Sequence, residues 1–297
     1  MSLNNLFQKN EAVIAIIGLS KNSGKTTFLN WLVKRLKNKV IGITTTGRDG
    51  EEFDILTNDK KPQVCLPAGT YFTAFDNIYT SFSSHLIGIS KLPFRVIDKN
   101  LWLYKTLSPI ETEIVGPSTR KQQEALIDIF REKGCNFVVI DGSLDRKSIC
   151  LSDKITDVGI VVGASAGCFS EIRDLVEKLW CYSRITKYKP DNDRETWFLP
   201  GMLTDNKWRV LKTNILNFKG NILFNHPLNI NIGLSELKRL VQDKNVFTNT
   251  CFPVTMVAVN PNSVVGEHID ADFLFNEMTK LWGEGLVVNA RDIKNNK

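Results

Sequence analysis

The stretch that most constrains this chain is Gly18-Leu-Ser-Lys-Asn-Ser-Gly-Lys-Thr-Thr27. An apolar run, Ala12–Ile17, leads into it, and an amphipathic run, Phe28–Leu36, leads out. That order predicts a strand buried on both faces, a glycine-bearing turn, and a helix opening on Lys-Thr. A turn of this kind gathers backbone N–H groups and the positive end of a helix around one point, which suits a polyphosphate. The expected phosphate-binding residues are Asn22, Ser23, Gly24, Lys25, Thr26 and Thr27. Lys25 would reach the outer phosphates, and the Thr26 hydroxyl would ligate Mg2+. The spacing departs from the usual G-x-x-x-x-G-K-[ST]. Gly18 lies six residues before Gly24, and Leu19 stands where a glycine is usual.

Two acidic stretches complete the pattern. Phe137-Val-Val-Ile-Asp-Gly142 reads as a buried strand ending in an acid, and Asp141 at its carboxyl end is expected to hold Mg2+ directly or through water. Thr44-Thr-Thr-Gly-Arg-Asp-Gly-Glu-Glu-Phe-Asp54 follows the second strand, Val40–Thr44, and is where a segment sensing a γ-phosphate would lie. Asp49 is the candidate for orienting an attacking water or for contact with Mg2+, and Arg48 for contact with phosphate. The catalytic set is therefore Lys25, Asp49 and Asp141, and the metal set Thr26, Asp49 and Asp141. Asp145, Arg146 and Lys147, just after the second acid, could sense phosphate or pair with the switch segment, but a solvated polar loop is the slightly favoured reading for each alone.

Elsewhere strands and helices alternate, which predicts parallel pairing, right-handed crossovers and ligand binding at the carboxyl ends of the strands. Thr119 with Gln122 resembles a capping box opening a helix that carries Leu126, Ile129 and Phe130 on one face and stops at Gly134. Between Lys60 and Pro117 the pattern is β-rich. Gln63–Leu66, Pro93–Ile97 and Glu113–Val115 read as strands, and Pro67-Ala-Gly-Thr70 as a turn opening a helix through Ala74. The most polar stretch, Lys187–Glu195, is the expected boundary. The expected fold is α/β: a three-layer P-loop NTPase with a mostly parallel central sheet, a β-rich insertion and a C-terminal α/β extension. Residues 1–190 would form the core, with 60–117 as the insertion, and 191–297 the extension, packed on the same sheet.

Composition narrows the classes. The 297 residues include 42% hydrophobic and 24% charged, ordinary for a globular protein. The net charge of +6 comes from scattered Lys and Arg, with no basic block or aromatic-basic repeat, so no nucleic-acid partner is expected. The six cysteines show no C-x-x-C pair, no leader is visible and no apolar run approaches a membrane span, so a cytoplasmic protein without a membrane partner is expected. No Asn-Lys-x-Asp guanine motif occurs, which leaves ATP and GTP both open.

Lys21-Asn-Ser-Gly-Lys-Thr-Thr27 resembles the phosphate loop of MobB-like proteins, within the SIMIBI group of dimeric metal- and cofactor-handling NTPases. In that group a second lysine often lies five residues before the loop lysine; here the position is Ser20. A homodimer stays open. Ile17–Thr27, Gly47-Arg-Asp-Gly-Glu51, Asp141–Ser148 and Val259-Asn-Pro261, in this order, resemble the reactivase subunits of adenosylcobalamin-dependent lysine and ornithine aminomutases. That resemblance implies an ATP- or GTP-hydrolysing switch or chaperone with Mg2+ and a cobalamin-dependent aminomutase as protein partner. The alternative is a small-molecule kinase or ligase of the dethiobiotin-synthetase type, for which the same Lys25, Thr26, Asp49 and Asp141 would serve.

Overall fold

The computed structural model describes residues 3–46, 63–96, 98–143, 152–190, 194–262 and 268–289. Arg48, Asp49, Glu51, Asp145, Arg146 and Lys147 lie outside the described residues. In chain order the elements are α1 (Leu3–Gln8), β1 (Ala12–Gly18), α2 (Lys25–Arg35), β2 (Ile41–Thr45), β3 (Val64–Leu66), β4 (Tyr71–Phe75), α3 (Ile78–Phe82), β5 (Leu86–Val96), β6 (Lys99–Thr106), β7 (Ile110–Thr112), α4 (Arg120–Glu132), β8 (Phe137–Ser143) and β9 (Asp157–Gly163). Then come α5 (Phe169–Arg184), β10 (Thr186–Lys187), β11 (Thr196–Phe198), β12 (Leu203–Thr204), α6 (Asp205–Asn217), β13 (Asn221–Phe224), β14 (Ile230–Asn231), α7 (Leu234–Asp243), β15 (Asn245–Thr248), β16 (Val254–Asn260), α8 (Ala271–Trp282) and β17 (Val287–Asn289).

The chain forms two units, residues 1–166 with 255–297, and residues 167–254. This differs from the linear division at residue 190, because the last strands return to the first unit's sheet. That sheet has nine strands in the order β17-β16-β9-β1-β8-β2-β4-β6-β5. β1 pairs in parallel with β8 and β9, β8 with β2, β2 with β4, and β16 with β17. β6 pairs antiparallel with β4 and β5. All seven residues of β1 are buried, which explains its unbroken apolar run: a central parallel strand is covered on both faces. Helix α2 buries Phe28, Leu29, Trp31, Leu32 and Val33, with Phe28 and Trp31 stacked at 5.5 Å between ring centroids. Helix α4 lies on β2 so closely that a Cβ on Gly42 would come within 2.5 Å of the Phe130 ring. Its inward face carries Gln123, Leu126, Ile127 and Phe130; Ile129 is only half-buried.

The β-rich section resolves into two parts. β3 and β7 form a separate antiparallel pair, while β4, β5 and β6 make the antiparallel edge of the main sheet. The helix expected through Ala74 is instead strand β4. Tyr71, Phe72, Thr73 and Phe75 are strand-favouring residues, and a slot between β2 and β6 buries four of the five residues. The turn before it survives, with Gly69 at φ 84°. The strand expected at Glu113–Val115 lies at Ile110–Thr112.

The second unit has its own parallel sheet, β10-β15-β13-β11, and a β12-β14 pair. Helices α6 and α7 are tied by Glu236, which accepts from Trp208 Nε1 at 3.0 Å and Lys212 Nζ at 2.8 Å. Among the described residues, no helix is long and apolar enough to cross a membrane.

Candidate phosphate-binding site at the end of strand β1

The turn after β1 is shaped by what lies against it. A Cβ on Gly18 would fall 2.3 Å from Ser23 Oγ and 2.7 and 2.9 Å from Lys25 Cγ and Cδ. The Lys25 stem therefore lies back over the end of the strand, in space that only a glycine leaves. The additional residue of the motif is absorbed by the sheet. Leu19 N donates to Val161 O at 3.1 Å and the side chain is buried, so Leu19 extends the ladder with β9 by one step before the turn begins. Asn22 at φ 59° and Gly24 at φ 96° then supply the two left-handed residues of the turn; asparagine and glycine are the residues that adopt this region most readily.

Gly24 is also the N-cap of α2, and no side chain caps that helix end. The first turn contains no acid. The leading N–H groups of α2 thus keep their capacity for an anion, together with the helix dipole. Lys25, Thr26 and Thr27 are half-buried, whereas Ser23 is fully buried, and its Oγ has no hydrogen-bond partner among the described residues.

Asp141 stands on the neighbouring strand. Its Cα is in register with Ile16 of β1 on one side and Thr45 of β2 on the other, and it is 5% exposed. Its backbone oxygen accepts from Thr45 Oγ1 at 2.9 Å and from Thr46 N at 2.8 Å, which fixes the end of β8 to the end of β2. The sheet therefore brings Asn22, Ser23, Gly24, Lys25, Thr26, Thr27 and Asp141 to the carboxyl ends of adjacent strands. Among the described residues no group of three or more His, Cys, Asp or Glu side chains could hold a metal on its own.

Three further residues bear on the loop and were not assigned to it from the sequence, although Asn260 belongs to the Val259-Asn-Pro261 motif quoted above. Gly163, at the end of β9, lets the loop approach so closely that a Cβ there would meet Ser23 Cα at 2.6 Å. Ser165 Oγ donates to Lys21 O at 3.0 Å. Asn260, the last residue of β16, donates from Nδ2 to Ser23 O at 3.2 Å. The available signal was positional: both polar residues sit where an apolar strand gives way to a polar turn, Gly163-Ala-Ser-Ala-Gly167 and Val259-Asn-Pro-Asn262.

No protein-family model matches the chain, and no curated protein matches it. A solved structure, that of pNOB8 ParA bound to nonspecific DNA, aligns over 97% of this chain and 100% of that chain at 12% identity, with a TM-score of 0.31. A likeness of that size carries no argument about what this chain binds. The expectation of no nucleic-acid partner is withdrawn on the charge itself, because the net charge of +6 already rests on dispersed Lys and Arg. The physical reason is that non-specific binding draws on phosphate contacts from dispersed Lys and Arg and needs no basic block or base-reading repeat. The architecture, a mixed α/β fold with a large, mostly parallel central sheet and helices, is that of a P-loop-NTPase-like α/β fold.

Proposed function

We propose that this protein binds and hydrolyses a nucleoside triphosphate, ATP or GTP, with Mg2+. We further propose that it uses that cycle as a switch or chaperone for a cofactor-dependent enzyme, an adenosylcobalamin-dependent aminomutase. The observation that carries the first part is the left-handed turn at Asn22 and Gly24, which opens α2 without a side-chain cap beside Lys25.

The residues present fit such a ligand. The N–H groups of the turn and of the first turn of α2 suit phosphate oxygens, and Lys25 adds a cation beside them. Thr26 and Asp141 offer hard oxygen donors of the kind Mg2+ takes, one or two from the protein with the rest from phosphate and water. Bound Mg2+ would supply charge neutralisation at the phosphates. The chain's own contribution is positioning: the loop fixes the phosphates, Lys25 follows developing charge on the outer ones, and Asp49, on sequence alone, orients the water. The partner half of the proposal rests on the resemblance in motif order.

The test is hydrolysis of ATP and of GTP by the wild type and Lys25→Ala, each with and without a candidate aminomutase. Slow basal turnover, raised by the mutase and lost in Lys25→Ala, is expected. Turnover indifferent to Lys25→Ala would sink the phosphate-loop assignment. Fast turnover needing only a small-molecule acceptor would replace the switch by a kinase or ligase.

A further inference from the structure

A loop whose N–H groups converge on an anion must turn its carbonyl oxygens the other way, and those oxygens then need donors. Two such donors are present here. Lys21 O accepts from Ser165 Oγ at 3.0 Å, and Ser23 O accepts from Asn260 Nδ2 at 3.2 Å. Each donor is itself held. The Ser165 hydroxyl has one hydrogen, spent on Lys21 O, so its 2.9 Å contact with Ser20 Oγ makes Ser20 the donor. Asn260 Oδ1 accepts from Asn262 N at 3.3 Å, which turns the amide so that Nδ2 faces the loop.

In a planar trans peptide the C=O and the following N–H point in opposite directions. Gripping Lys21 O therefore aims the N–H of Asn22, and gripping Ser23 O aims the N–H of Gly24. These are the two residues in the left-handed region, at φ 59° and 96°. The Asn260 amide packs on the same turn, since a Cβ on Gly24 would meet its Nδ2 at 2.8 Å. Resting on the phosphate-loop reading above, we propose that Ser165 and Asn260 are positioning residues. Each holds the far end of a peptide plane and so directs the Asn22 and Gly24 N–H groups at the phosphate chain. The longer loop needs this support from the turn after β9 and from the end of β16, because neither residue 22 nor residue 24 lies within a strand or helix.

Asparagine suits the second position because it offers a donor and an acceptor together. The substitution Asn260→Asp would keep the shape and set a carboxylate against the Ser23 carbonyl. The experiment is fluorescence titration of a labelled ATP and a labelled GTP, and competition by inorganic triphosphate. It compares the wild type with Asn260→Asp, Asn260→Ala, Ser165→Ala, Ser165→Thr and Lys25→Ala, with thermal melting of each to exclude misfolding. Asn260→Asp and Ser165→Ala are each expected to weaken nucleotide and inorganic triphosphate alike, by about threefold to tenfold. Ser165→Thr, which keeps the hydroxyl, should restore most of the affinity. Unchanged affinity in both donor-loss variants, while Lys25→Ala loses binding, would overturn the positioning role and leave the phosphate loop standing. Weakening toward nucleotide but not inorganic triphosphate would overturn it too, since Asn260 would then act on the nucleoside. A wild type that binds neither nucleotide nor triphosphate would overturn both readings.

Discussion

At the scale of single residues, the site depends on atoms that are missing. Gly163→Ala would place a methyl 2.6 Å from Ser23 Cα and 2.9 Å from Ser23 O, and backbone cannot step aside as a flexible side chain does. A loss of about 1–3 kcal/mol in urea unfolding is expected, together with weaker triphosphate binding. Unchanged stability would mean that the loop does not rest on β9. The cysteines give a second check. Burial pushes the Cys135 thiol up to about 12, against a smaller downward pull from Arg131 and Lys105, and burial raises Cys181 as well. Because the thiolate is the reactive form, alkylation at pH 8 followed by mass mapping should mark exposed Cys168 and Cys251 in the native protein. Cys135 and Cys181 should be marked only after denaturation. The places of Lys25, Thr26 and Asp141 at the ends of neighbouring strands were legible because each sits at a fixed offset from a glycine or an apolar run. The contacts of Ser165 and Asn260 with the loop were not, although Asn260 belongs to the quoted Val259-Asn-Pro261 motif. Their role comes from strands brought alongside β1 from far along the chain, and no local spacing records that.

At the scale of elements, boundaries followed local chemistry and failed where a neighbour decided. Helix α4 begins where its cap predicts: Thr119 Oγ1 accepts from Gln122 N at 3.4 Å. Thr119→Ala should therefore cost about 1 kcal/mol in thermal or chemical unfolding, and Thr119→Ser almost nothing. Equal losses from both would show that the cap hydroxyl is not what holds the helix end. Strand β4 shows the opposite case. Its turn-then-apolar pattern fits a helix start as well as a strand, and the choice was made by the slot between β2 and β6, which a five-residue window cannot contain. Helix α6 carries only a weak sequence signal. Its buried face carries Trp208 and Ile215, and exposed Val210 lies off that face and blurs the apolar stripe by which an amphipathic helix is recognised.

At the scale of the whole molecule, the alternation of strand and helix revealed the fold class, while the route of the chain stayed hidden. Polarity marked residue 190 as a boundary, yet the first unit closes only when residues 255–297 come back to it. A chain ending at residue 253 would lack β16 and β17 and leave β9 as a bare edge. Such a truncated protein is expected to aggregate or to melt without a cooperative transition, whereas the full chain melts cooperatively; soluble, cooperative behaviour of the truncation would refute this. The same sheet order sets a clock during synthesis. β9 leaves the ribosome roughly ninety residues before its partner β16. At about 5–20 residues per second, its open edge waits on the order of ten seconds. Through that interval the nascent chain carries the strand that backs the phosphate loop without the strand that shields it. Asn260 reaches Ser23 only after that wait. The loop is then among the last parts of the first unit to take its final shape, and on the phosphate-loop reading a growing chain would acquire ligand-binding competence only once β16 has been made.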